Sequence, residues 1–281
     1  MESYFTDSQP TAKETAPSSP IFTPGAKVLL IQDVVPWASA PNQSPLGANV
    51  TQLECMDEKF DLVPSRLIGV IALNQYREII ISAAQTQRFY DNLFPGGFIA
   101  YPLVDWAQGG GILSANLTDY ASGPGGGGNW GSRVFLTGVQ HVFDTSNDNG
   151  IADPRDPIIT GTFGACSGGP IKDVGPLADL DGWGASSHGY FTDLPTGTRV
   201  ILAVREGGQL NLKKPVMVEF PFGFGRVIAS LVTNEWRYVG GFGSLPQNRK
   251  LLANEFGYQR HLACSEAEAE RPQADEPAAT V

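Results

Sequence analysis

The sequence is poor in cysteine, and its three thiols, Cys55, Cys166 and Cys264, are odd in number and widely spaced. Such usage argues against a disulfide framework and fits a reducing compartment, with secretion by another route left open. Lys and Arg are also scarce, 19 against 29 Asp and Glu, and they do not cluster. That argues against a nucleic-acid groove, because phosphate binding needs grouped positive charge. Long apolar runs are missing too. Nothing approaches the roughly 20 residues of a membrane span, and the Met1 end carries no apolar segment of signal-peptide length. The chain therefore reads as soluble and cytoplasmic.

Large apolar side chains are sparse at both ends. Residues 1–24 are rich in Pro, Ser and Thr and bury too little to offset the entropy of ordering, so they read as a flexible arm. Residues 265–281 hold five acids and Arg271, with no aromatic and nothing larger than Ala before the final Val. This is the composition of a disordered acidic tail, placed at 263–281. It accounts for −4 of the formal charge of −10, leaving a mildly acidic core. The remainder, residues 25–262, suits one sheet covered by helices on both faces.

Along that core, Lys27–Asp33 is a continuous apolar run that ends in polar residues, the pattern of a buried parallel strand opening into a loop. A helix is expected over 46–58, and further strands over 59–64, 77–84 and 112–116. Between the last two, residues 87–107 have helical spacing interrupted by Pro95-Gly96-Gly97, which predicts two helical pieces. This is the alternation of a doubly wound sheet. A Gly-, Asn-, Asp- and Pro-rich insertion follows at about 118–184, much longer than ordinary loops. Its apolar runs at 133–139 and 157–160 are expected to return to the sheet. Strands at 198–204, 215–220 and 226–233 come next, the last two joined by a Gly-rich hairpin at 221–225, and a final helix is expected over 246–257.

Three strings accompany this order of elements: Asp181-Gly-Trp-Gly-Ala-Ser-Ser-His-Gly-Tyr-Phe191, Pro215 through Ala229, and Thr233-Asn-Glu-Trp236. Together they resemble the class I glutamine amidotransferase-like superfamily, in particular its ThuA-like branch, over residues 25–258. The resemblance implies a three-layer, flavodoxin-like α/β fold with a mostly parallel sheet and a C-terminal antiparallel hairpin. In catalytic members the nucleophile is a Cys on a sharp turn in a Gly-x-Cys-x-Gly setting. Here the matching stretch is Ser114-Ala-Asn116-Leu-Thr118, with Asn116 in the place of the cysteine and neither glycine present. An amide supplies no thiolate, so glutaminase chemistry is not expected.

Other local signals are weaker. Cys166, in Gly164-Ala-Cys-Ser-Gly-Gly169, has no basic neighbour to lower its pKa and reads as a plain loop cysteine. Asp144, Asp148 and Asp153 lie in an oxygen-rich, calcium-loop-like stretch. In an EF-hand register fixed by Gly150, however, Thr145 takes the first ligand position and the twelfth is not Glu. An Asx-rich turn describes it better. Gly123–Gly128 lacks the Lys and Ser/Thr of a phosphate loop. Trp37, Trp130, Trp183 and Trp236 fall in loops or at strand ends, where indole faces grip ligands or cap a core.

The sequence thus points to a non-catalytic, amidotransferase-like binding or assembly module for a small molecule, a glycan or a protein partner, with no cofactor. Its ligand surface is expected at the C-terminal ends of the parallel strands, from Asp33, Gln85, Asn116, Trp183, Ser187 and His188. The alternative is a hydrolase using His188 with Asp33 or Glu235.

Overall fold

The computed structural model describes residues 20–37, 45–118, 129–173, 179–180, 187–236, 238 and 246–269. Its centre is an eight-stranded sheet. The strands are β1 (Val28–Ile31), β2 (Phe60–Val63), β3 (Glu78–Ile81), β4 (Ile112–Asn116), β6 (Asn149–Ile151), β8 (Arg199–Glu206), β9 (Gln209–Phe222) and β10 (Gly225–Ser230), in the order β2-β1-β3-β4-β10-β9-β8-β6. From β2 to β10 neighbouring strands are parallel; β9, β8 and β6 continue the sheet antiparallel. The expected α/β class, mostly parallel with an antiparallel hairpin, is what forms.

Period-2 alternation sends successive side chains of each buried strand to opposite faces. Leu29 and Ile31, Ile79 and Ile81, and Leu113 and Ala115 enter one core, with α2 (Gln87–Leu93) and α3 (Tyr101–Gln108) over it. On the other face Val28, Leu30 and Ile80 meet α1 (Ala48–Cys55), and Ile228, Met217 and Val216 meet α4 (Pro157–Thr160) and α5 (Pro246–Ala269). Helices cover both faces of one sheet. The break between α2 and α3 falls at Pro95-Gly96-Gly97, where Gly96 takes a left-handed φ of 67°. Thr86 caps α2 by accepting from the Phe89 N–H.

Three expectations need correction. The apolar run at 157–160 is not a strand but α4, capped by Asp156 accepting from Ile158 N–H, and 133–139 contributes only a bridge from Val134 to Phe98 and a helical turn. The part of the insertion that joins the main sheet is β6, while β5 (Gln140–Ser146) pairs with β7 (Ser187–Thr192) in a separate ribbon. A short apolar run does not by itself distinguish a buried helix turn from a strand, and Asp156-Pro157 is a helix start. The final helix runs to Ala269, twelve residues beyond its expected end, because Ala and Glu in the segment read as tail are good helix formers.

The third correction concerns cysteine. Cys55, at the end of α1, and Cys166 form a disulfide across 111 residues with a Cα–Cα distance of 6.0 Å, leaving Cys264 as the free, exposed thiol. Cys166 is therefore not a plain loop cysteine. Counting and spacing cannot register the pairing because α1 and the 161–169 loop meet only through tertiary structure. The glycines there have a packing reason. The Asn254 side chain, in α5, accepts from Gly169 N–H at 3.0 Å and donates to Ile158 O at 2.7 Å and Gly169 O at 2.8 Å. A Cβ on Gly164 or Gly168 would overlap its Oδ1.

Candidate functional site

Because β1, β3, β4 and β10 are parallel and in register, their C-terminal ends deliver Gln32-Asp33, Ser82–Gln85, Asn116 and Thr233–Glu235 to one edge. Apart from the half-buried Asp33, the polar residues there are buried. Glu235 Oε1 accepts the Ala83 N–H at 2.9 Å. Ser82 Oγ accepts from Asn49 Nδ2 and donates to Gln32 Oε1, both at 2.8 Å. One layer further in, Glu255 of α5 accepts from Ser114 Oγ and, at 2.9 Å, from Asn234 Nδ2.

Among the described residues neither carboxyl has a cationic partner. Burial pushes Glu235 up to about 8, with the Glu255 charge adding to the shift and the Ala83 N–H, Asn49 and Asn116 opposing it. Burial likewise raises Glu255 to about 7, against the Ser114 and Asn234 hydrogen bonds. At neutral pH Glu235 is thus mostly a neutral acid rather than a carboxylate. Beside it, the Asn116 amide is 0% exposed, and neither end makes a well-formed hydrogen bond among the described residues. Asn116 therefore stands inside the fold, not on an exposed turn.

The other expected site residues are placed as follows. Asp33 accepts from Ser65 N–H at 2.6 Å and from Ser65 Oγ at 2.9 Å. Gln85 accepts from the N–H groups of Asp33 and Val34 and donates to the carbonyls of Val34 and Ala83, so its amide locks two strand-end loops together. Glu235, Ala83, Gln85 and Asp33 thereby form one connected chain of contacts. Ser187, buried in β7, bonds Asn149 Oδ1 at 3.2 Å. His188 is half-buried; its N–H donates to Leu231 O at 3.0 Å and its ring lies edge-on to Phe143. Trp183 and the Gly123–Gly128 stretch lie outside the described residues.

Asp144, Asp148 and Asp153 meet three different cations, Lys214, Arg205 and Arg155, and among the described residues no three acidic, His or Cys groups converge on a metal position. Trp130 is not a rim residue. It is fully buried, stacked on Phe94 and, at 4.4 Å, on His141. Burial lowers the pKa of that imidazole to about 4.

Sequence reasoning missed Asn49, Asn234 and Glu255. A usable signal existed for the last: Asn248, Asn254, Glu255 and Gln259 lie on the buried side of a helix covering a sheet, where apolar residues are the rule.

No family model matches the chain, and no curated protein matches it by sequence. Solved structures do. A cytoplasmic protein from Salmonella typhimurium LT2 is similar at a TM-score of 0.50 and 14% identity, covering 84% of this chain and 98% of its own. The likeness is one of fold. A β-galactosidase from Bacillus circulans sp. alkalophilus is matched at a TM-score of 0.40 and 13% identity, over 86% of this chain but 31% of the enzyme. A ThuA-like protein from Parabacteroides merdae is matched at 0.36 and 10%, over 83% and 89% of the two chains. Among the described residues no helix is long and apolar enough to cross a membrane.

Proposed function

We propose that this chain is a non-catalytic, amidotransferase-like module that binds a small molecule, a glycan or a protein partner at the C-terminal rim of its parallel strands. One observation carries the reading: where the resemblance calls for an exposed nucleophile there is the wholly buried amide of Asn116, packed beside a carboxyl that already occupies the neighbouring Ala83 N–H. Acyl transfer needs a nucleophile and free donors aimed at the developing oxyanion. Both requirements go unmet by these groups. We assign ligand contact to His188, half-buried in β7, and to Trp183.

A hydrolase is the second reading, favoured by the raised pKa of Glu235, since a carboxylic acid that keeps its proton near neutrality suits general acid catalysis. The two are separated by incubating the purified chain with glutamine and with simple ester and glycoside substrates. The module reading expects no product above a buffer blank. Turnover that disappears in Glu235→Gln or His188→Ala would replace it with the hydrolase. Binding is tested by a thermal-shift screen of sugars, amino acids and divalent ions, in which any stabilising ligand should lose its effect in His188→Ala and Trp183→Ala.

A further inference from the structure

The opposite end of the sheet holds a second feature, independent of the rim. At the N-terminal ends of β3 and β4 a cavity of about 380 Å³ is lined by Asn74, Arg77, Asp105, Trp106, Gly109–Gly111 and Ala263. Its volume lies in the range of small-molecule sites, about 300–1,000 Å³.

Trp106 is held in place from two sides. Its indole N–H donates to Tyr76 O at 3.1 Å, and its ring lies over Gly111, where a Cβ would come within 2.5 Å of ring carbons. The β9–β10 turn lies beside it. Phe224, in the β9–β10 turn, is 88% exposed, its N–H donates to Gln108 O at 2.9 Å, and it stands against Gly110. Gly223 fits this turn to the end of α3, because a side chain there would overlap Gln108.

The polar groups of the cavity keep unused bonding capacity. Among the described residues Arg77 has one long side-chain hydrogen bond, 3.4 Å to Ala263 O, and the Asp105 carboxylate has none; the two do not pair with each other. Asn74 is exposed beside them. Guanidinium, carboxylate and carboxamide are planar groups that each bond two adjacent atoms at once, the first as donor, the second as acceptor, the third as both.

We propose that this cavity is a carbohydrate-binding site for a pyranose. The vicinal hydroxyls of a pyranose both donate and accept, which matches Asp105, Arg77 and Asn74, while its C–H face matches the aromatic surface of Trp106. The open, solvated setting favours a neutral, polyhydroxylated ligand over an ion, since exposed charges retain their hydration and gain little from a lone counter-charge.

The test uses the full chain and the indole N–H resonance of Trp106, assigned from its loss in Trp106→Phe. Glucose, mannose, galactose, N-acetylglucosamine and their β-1,4-linked oligomers are titrated in turn, with glycine and glutamate as zwitterionic comparators. The expected result is a saturable shift with at least one saccharide. Its apparent Kd should rise tenfold or more in Asp105→Ala and Arg77→Ala, exposed positions whose melting temperatures should stay at the parent value. The proposal is overturned if no saccharide shifts the resonance, if these two variants bind as the parent does, or if an amino acid saturates the site and the saccharides do not.

Discussion

The Ala83 backbone and the Glu235 side chain, 152 positions apart, meet in a 2.9 Å hydrogen bond that ties the end of β3 to the turn following β10. The carboxyl is buried, and its second oxygen makes no well-formed hydrogen bond among the described residues; besides the Ala83 N–H, only the Asn49 and Asn116 amides oppose the effect of burial. Its ionisation therefore sets a pH dependence. Between its ordinary value of 4.5 and about 8 the folded chain holds the proton and the unfolded chain does not, so this group's contribution to stability falls as pH rises through that window. Glu235→Gln keeps an acceptor for Ala83 and cannot ionise. Relative to the parent it should gain melting temperature steadily from pH 5 to 8 and hold that gain above pH 8. A difference independent of pH, measured by differential scanning fluorimetry, would refute the burial argument.

His141 works in the opposite sense. Burial against Trp130 lowers its pKa from 6.5 to about 4, so in that interval the unfolded chain takes up a proton that the folded chain refuses. Stability from this group is lost as pH drops from 6.5 towards 4. His141→Gln should flatten the acid limb of a stability profile even though it lowers absolute stability by removing the stack. Urea titrations at pH 4.5 and 7 decide it: the variant's deficit must be smaller at pH 4.5.

The Cys55–Cys166 bridge makes a direct prediction about thiol content. Denatured without reductant, the chain should expose one titratable thiol, Cys264, and after reduction three. Reduction, or Cys55→Ser, should destabilise the fold by about 2–4 kcal/mol, chiefly by freeing the unfolded chain. Three thiols titrating before reduction would contradict the bridge.

At Gly164 a single methyl group should be costly. The Asn254 amide that it would strike is fixed by bonds to Ile158 and Gly169, so neither partner can give way cheaply. Gly164→Ala should cost about 1–3 kcal/mol in urea unfolding. Gly69→Ala, where nothing lies within 4 Å of the added Cβ and φ is not in the left-handed region, should be close to neutral.

The strand cores were readable because apolar runs such as Lys27–Gln32 have only one comfortable place, inside a parallel sheet. The break between α2 and α3 was readable because Pro and Gly act locally. Asp33, Gln85 and Asn116 were recognisable as polar residues terminating such runs, but that Gln85 would bond the Asp33 backbone and Glu235 the Ala83 N–H depends on partners 50 or more positions away. The same holds for the disulfide, for the glycines around Asn254 and for Glu255, whose partner Ser114 lies 141 residues earlier. The cavity around Trp106 was invisible for a related reason. Arg77, Asp105 and Gly111 belong to a strand start, a helix and a loop, and only the β3–β4 pairing gathers them.

The place of β10 in the sheet has a consequence for synthesis. It is the last strand in sequence among the described residues, yet it sits between β4 and β9, near the middle. As the chain leaves a ribosome, β1 to β4 can assemble early, but β4 then presents a bare backbone edge until Gly225–Ser230 emerges, and the β8–β9 hairpin, paired with β6, has no strand linking it to β4. An unpaired strand edge of this kind is a template for association with other chains. Products that stop short of residue 225 should therefore behave as sticky fragments rather than as smaller versions of the domain, and completion of the sheet waits on Gly225–Ser230.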